Sequence, residues 1–189
     1  MENEILEAVG NEAALDAVLG VPSARMLSKA RATIDAQCRA FIARCPFVLI
    51  ASADDQGRLD ISPRGDPAGF VNVIDDNTFA IPDRPGNRRA DTFRNVLRRD
   101  GVAILFVIPG KGETLRASGT AIIARDRWLL ARMAVGGIEP ALALVVTVRE
   151  IFFHCPKCMA RSTLWDPASW PSAAALAATH RIEIKDPLY

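Results

Sequence analysis

From Thr33 the apolar positions Ile34, Cys38, Phe41, Ile42 and Cys45 recur at spacings of 4, 3, 1 and 3. One face of a 3.6-residue repeat carries them all, which predicts a helix against a core, ended by Pro46. The helical reading extends back over residues 11–45, with Pro22 and Ser23 opening a second helix. Beyond Pro46 the period changes. Residues 47–53 are a short apolar run; the turn Asp54-Asp55-Gln56-Gly57 and residues 58–62 follow, a β-hairpin signal. Residues 69–74 (GFVNVI) and 78–81 (TFAI) flank Asp75-Asp76-Asn77 and predict a second hairpin. Residues 88–99 read as a helix with Phe93, Val96 and Leu97 inward and arginines outward. A buried strand at 101–108 is joined through Pro109-Gly110-Lys111-Gly112 to an alternating strand at 113–124. Then come a short helix at 126–133 that Asp126 caps, a long Val- and Ile-rich strand at 141–153, and an Ala-rich helix at 173–178.

Six short strands, mostly joined by tight turns, with helices between and after them, predict a mainly β fold with flanking helices: a small antiparallel barrel. Residues 1–45 are expected as a helical segment packed on that barrel, and 46–189 as the barrel with a C-terminal helical segment, one structural domain overall. No repeats or low-complexity linkers interrupt the chain.

Composition changes this picture little. The 189 residues include 23 Lys+Arg and 22 Asp+Glu, a net charge of +1. No global field favours nucleic acid or an anionic membrane, so any charge-driven binding rests on local clusters. The longest apolar runs fall short of the roughly 18 residues that a membrane span requires. An acidic start, MENEILEAVGNEAALD, lacks the basic n-region of a secretory signal, which predicts a cytoplasmic protein. Four cysteines are no disulfide scaffold at this length; Cys38 and Cys45 read as small buried apolar residues.

Three stretches carry candidate chemistry. In IPDRPGNRRADTFRNVLRR (81–99) a strand runs through a Pro/Gly loop into a helix expected to start near Asn87, and Arg84, Arg88 and Arg89 crowd the junction. Cations at a positive helix N-terminus are unfavourable unless an anion is bound, and a phosphate satisfies both partners. A solvated arginine face is the competing reading, and suits Arg94, Arg98 and Arg99. The loop is neither a Walker GxxxxGK loop nor a GxGxxG fingerprint. In ISPRGDPAGF (61–70), Pro63 and Pro67 stiffen the backbone around Arg64, which either meets a ligand or pairs with Asp66 or Asp83. In HCPKCMARSTLW (154–165), Lys157, Arg161 and Trp165 recur about every four residues. Its Cys155-Pro-Lys-Cys158 has the form of a zinc or dithiol motif, but lacks further zinc ligands and a βαβ context. No nucleophile–base pair is evident with two histidines, one of them His180 in the tail. An anion site with few acid–base groups points to a cofactor that does the chemistry.

Together these stretches resemble the pyridoxamine 5′-phosphate oxidase-like flavoproteins of the FMN-binding split-barrel superfamily, and most closely an uncharacterised bacterial subgroup. The resemblance spans roughly residues 41–165 and rests on SPRGD (62–66), IPDRPGNRR (81–89) and HCPK…RS.LW (154–165). It implies a six-stranded antiparallel split β-barrel and a homodimer with FMN at the subunit interface. Asn87-Arg88-Arg89 stands where the oxidase holds the FMN phosphate with Ser-Arg-Lys. Ile81, Pro82, Asp83 and Arg84 are expected to line the flavin, with Arg64 approaching it from the preceding hairpin. Thr114 matches a glutamine directed toward the ring. Lys157, Arg161 and Trp165 are expected to complete the site from the other subunit. The implied activity is FMN-dependent transfer of electrons between a small-molecule donor and acceptor, with no metal. The alternative is a non-catalytic flavin- or haem-binding protein, since the superfamily also includes haem binders and users of deazaflavin F420. The tail RIEIKDPLY lacks the oxidase's basic, aromatic substrate segment, so vitamin B6 oxidation is not expected.

Overall fold

The computed structural model describes residues 8–24 and 28–179. The chain divides between Ala30 and Arg31 into two compact units. The first contains helix α1 (Glu12–Leu19), capped by the Asn11 side chain on the Ala14 N–H at 2.9 Å. The expected helix from Pro22 falls largely on residues 25–27, outside the described residues, and 29–34 are not helical.

The second unit begins with α2 (Ala36–Ile42), whose N-cap Asp35 accepts from the Cys38 N–H at 2.9 Å. Cys38, Phe41 and Ile42 are buried, with Ile34 and Cys45 beside them, as the helical spacing requires. Seven strands follow: β1 (Phe47–Ala53), β2 (Leu59–Gly65), β3 (Asn72–Val73), β4 (Thr78–Pro82), β5 (Gly101–Val107), β6 (Thr114–Ala124) and β7 (Ala143–His154). They form one antiparallel sheet in the order β2-β1-β5-β6-β7-β4-β3. The expectation was six strands. The structure has seven, and β3 is the strand expected at 69–74 shortened to two residues.

The sheet curls into a barrel. β4 and β5 are separated by two strands in the sheet order, which on a flat sheet would hold them about 14 Å apart. Yet the Phe79 and Phe106 rings meet edge to face at 5.5 Å between centroids. The β6–β7 pair carries an irregularity that favours the bend. Ser118 pairs with Glu150 and Gly119 with Val148, leaving Arg149 as an extra residue on β7. Such a bulge sharpens twist. On β7 it lies just beyond residues 143–147, the stretch that pairs with β4. A Cβ on Gly119 would lie 1.9 Å from the Thr147 carbonyl oxygen, so only glycine fits.

Four short helices follow the first strands. α3 (Asp91–Val96) packs on β1 and β2, where Asn95 donates to the Ser52 hydroxyl at 3.0 Å in a buried contact. α4 (Arg127–Arg132) buries Leu129 and Leu130 in a second apolar cluster with Ala80 and Met133. α5 (Lys157–Arg161) follows β7, and α6 (Ala173–Ala177) lies near the C-terminus. The helix expected at 88–99 is shorter because Arg88 (φ 62°) and Ala90 (φ 55°) are left-handed, a conformation an α-helix cannot contain. Leu97, expected inward, is exposed because the helix has already ended. No helix among the described residues is long and apolar enough to cross a membrane.

Candidate functional site

Strand β2 is inverted relative to an ordinary sheet edge. Asp60, Ser62 and Arg64 alternate on one face and are half-buried, while Leu59 and Ile61 on the other face are 83% and 67% exposed. The register with β1 sets this orientation. Asp60, Ser62 and Arg64 pair with Ser52, Ile50 and Val48, whose side chains are buried, so the polar face of β2 points inward. Loop 83–90 lies over that face. Between them runs a groove of about 490 Å3, lined by Asp60–Arg64 on one side and by Gly86, Asn87 and Arg89–Asp91 on the other.

The loop is shaped by its own polar contacts. The Asn87 Oδ1 accepts from the Arg89 N–H at 3.0 Å, and the left-handed Arg88 and Ala90 turn the chain into α3. Because the helix starts at Asp91, the arginines precede it instead of decorating its first turn, contrary to the expected start near Asn87. Asp91 fills that turn, where an acid suits the dipole, and accepts from the Arg89 Nε at 2.7 Å. This pair raises the Arg89 pKa, and the more distant Asp60 adds to the effect. Arg64 and Arg88, by contrast, have no carboxylate within ion-pair distance among the described residues. Burial pushes the Asp83 carboxyl up, with the Arg64 charge pulling it back.

The structure thus brings Arg64, Asn87 and Arg89 to one groove, with Arg88 in the same loop. The other candidates lie elsewhere. The Ile81 side chain is in the main core and Pro82 is buried. Arg84 is held by Asp66 at 2.5 Å and by the Met133 carbonyl at 2.7 Å, so Asp66 pairs with Arg84 and not with Arg64. Thr114 is buried at the head of β6, opposite His154. Lys157 and Arg161 are exposed on α5. Trp165 donates to the Lys111 carbonyl at 2.9 Å, closing a separate groove of about 340 Å3 against the 109–112 turn. A Cβ on Gly112 would lie 2.7 Å from that of Pro156, so α5 is seated tightly on this turn. Cys155 and Cys158 are free and exposed, and the described residues contain no cluster of three or more metal-ligating side chains. Cys45 donates to the carbonyls of Phe47 and Val107 at 3.0 and 3.3 Å, and burial raises its pKa.

Sequence reasoning missed Asp60 and Ser62. Their signal was the i, i+2, i+4 spacing with Arg64, which places all three on one strand face.

The outward face is apolar. A shallow trough of about 240 Å3 crosses β2, β1, β5, β6 and β7, lined by residues such as Ile61, Leu49, Ala51, Leu105 and Phe152. Arg116 lies over the Phe152 ring, 5.1 Å from its centroid. Ile61 borders both this trough and the polar groove.

Residues 34–155, most of the barrel and the whole of this groove, match the family model of pyridoxamine 5′-phosphate oxidase. The chain belongs to the pyridoxamine 5′-phosphate oxidase family. Among solved structures, a protein described as a pyridoxamine 5′-phosphate oxidase from Lactobacillus delbrueckii is 15% identical with a TM-score of 0.51. The match covers 65% of this chain and 95% of that one. HupZ of Group A Streptococcus is 23% identical at a TM-score of 0.49, over 64% and 93% of the two chains. HutZ, a heme storage protein of Vibrio cholerae, is 15% identical at 0.46, over 63% and 93%. A comparison with curated protein sequences gives no match.

Proposed function

We propose that this member of the pyridoxamine 5′-phosphate oxidase family is a homodimeric flavoprotein. It holds FMN by its phosphate in the groove beside β2 and serves as an oxidoreductase between a small-molecule donor and acceptor. The inversion of β2 carries the reading. A strand that turns Leu59 and Ile61 outward and Asp60, Ser62 and Arg64 inward is unfavourable alone. It becomes favourable when a polar ligand fills the inner groove and an apolar partner covers the outer face.

The residues present fit the phosphate end of FMN. Arg64 and Arg88 offer two guanidinium groups without carboxylate partners, which matches a phosphate dianion. Asn87 fixes the loop that carries Arg88, and Arg84 anchors the same loop through Asp66. Bound FMN would supply the redox chemistry, the protein contributing orientation and electrostatics. The groove itself has few apolar atoms to offer a flavin ring. Ile61 at its border leads to the apolar trough, and a second copy seated there would cover the ring. In that dimer the exposed Lys157 and Arg161, with Trp165, are the residues we assign to complete the site from the other subunit.

The test is an absorbance spectrum of the purified protein before and after adding FMN, followed by turnover with reduced nicotinamide and an artificial acceptor. Flavin bands, with FMN released on denaturation, and sustained turnover are expected. A colourless protein indifferent to FMN overturns the flavin reading. Tight flavin without turnover leaves a flavin carrier instead of an enzyme.

A further inference from the structure

The Cys155-Pro-Lys-Cys158 segment takes no part in the polar groove, and both of its thiols are free and exposed. Its backbone brings them together. Pro156 (φ −77°, ψ 0°) is right-handed and Lys157 opens α5, so the chain from Cys155 to Cys158 makes a single tight turn. A turn of that kind holds its first and last Cα atoms within about 7 Å. A disulfide spans Cα atoms roughly 4.4–6.8 Å apart, so this bond needs only a small closure. No core has to open for it, because α5 buries none of its residues.

The rest of the chain isolates the pair. The two other cysteines, Cys38 and Cys45, are buried, burial raises both thiol pKa values, and Cys45 is engaged by two carbonyls. Buried thiols of this kind are inert. α5 itself has five residues, too few for a helix to hold its shape alone in water. It rests on the 109–112 turn through Pro156, which abuts Gly112, and through the Trp165 hydrogen bond to Lys111. A covalent link across its first turn would supply what so short a helix lacks.

We infer that Cys155 and Cys158 are a reversible thiol–disulfide pair that clamps the start of α5, with a low-molecular-weight disulfide such as oxidised glutathione as co-reactant. One thiolate attacks the glutathione disulfide, forming a mixed disulfide and releasing one glutathione. The second thiolate attacks the protein-side sulfur, closing the Cys155–Cys158 bond and releasing the second glutathione. The protein gives up two electrons and two protons, and the glutathione disulfide takes up both. In a reducing compartment the pair rests as the dithiol and closes only under oxidising conditions. This clamp goes beyond the flavin reading and does not depend on it.

The experiment incubates the full chain, without FMN, with oxidised glutathione, alkylates the remaining thiols after denaturation, and weighs the intact protein by mass spectrometry. The parent is expected to lose two hydrogens, carry no glutathione and alkylate only at Cys38 and Cys45, and excess reduced glutathione should restore all four thiols. Tryptic digestion without reduction shows the bond directly. Lys157 lies between the two cysteines, so cleavage after it should leave two peptides still joined. Cys155→Ala and Cys158→Ala should each retain glutathione on the remaining thiol as a stable mixed disulfide. On the folded parent, tryptic cleavage after Arg161 should slow about tenfold on oxidation, because the clamped helix opens less often. A parent that keeps glutathione on Cys155 or Cys158, links to a second chain, or retains four free thiols overturns the pair. An unchanged cleavage rate after Arg161 overturns the clamp.

Discussion

Arg84 donates through Nε to Asp66 at 2.5 Å, joining side chains only 16% and 8% exposed, and through Nη2 to the Met133 carbonyl. One guanidinium thus ties the start of loop 83–90 to the end of the β2 hairpin and to the residue that follows α4. Breaking a buried pair from one side leaves the other charge without a partner, so Arg84→Ala should cost about 3–5 kcal/mol. Arg84→Lys should recover little, because an ammonium lacks the fork that spans both acceptors. Urea denaturation with an unchanged m-value measures this. A loss below about 1 kcal/mol would place the pair with ordinary surface ion pairs.

The arginines of the groove and of its loop should differ in what they contribute. Arg64 and Arg88 have no carboxylate partner, while Arg89 already has Asp91. Arg64→Ala and Arg88→Ala should each weaken FMN binding by about 1–3 kcal/mol, the loss of one charge-assisted contact. Arg89→Ala should cost less. Quenching of flavin fluorescence on titration gives the three affinities. An Arg88→Ala protein that binds FMN as tightly as the parent removes Arg88 from the phosphate site.

That ranking was not legible in the sequence, although the groove partly was. Helical spacing found Cys38, Phe41 and Ile42 because periodicity and burial coincide there. The SPRGD and IPDRPGNRR stretches drew attention to Arg64, Asn87 and Arg89, which do meet. What periodicity could not show was backbone handedness. Arg88 and Ala90 are left-handed without being glycine, so nothing in their side chains marked the helix as starting at Asp91. Nor could it show which way β2 faces. Alternation makes Asp60 and Ser62 look like the solvent side of an edge strand, and only the register with β1 turns them inward. Arg84, read as a flavin contact, is engaged by Asp66 from 18 positions earlier, a pairing that needs the folded chain.

Asp83 gives a pH signature. Burial raises its carboxyl pKa above the ordinary value despite the opposing field of Arg64. The folded chain therefore holds this proton more tightly than the unfolded chain. Stability from this residue is greatest below the ordinary carboxylate range, and falls as pH rises through that range to the raised folded value. Asp83→Asn should melt higher than the parent at neutral pH, the difference vanishing by about pH 3, where both carboxyls are protonated. It should also tighten phosphate binding by removing a negative charge beside Arg64. Melting curves across pH test the first claim; a constant difference at every pH would refute it.

The apolar outer face makes a prediction about assembly. Ile61 is 67% exposed, so a charge there meets no core atom and should leave the monomer's fold intact. Leu59, Leu49 and Leu105 extend the same surface across three strands, more than an isolated barrel gains by exposing. If two copies bury this face against each other, Ile61→Glu places two like charges in a desolvated interface, where they cannot be matched. Sedimentation equilibrium should then show a dimer for the parent and a monomer for Ile61→Glu with unchanged circular dichroism. FMN affinity should fall together with dimerisation, because Ile61 borders the polar groove as well as the trough, and in the proposed dimer the second subunit would cover the flavin. A monomeric variant that retains full FMN affinity would separate the two surfaces and confine the flavin to one chain.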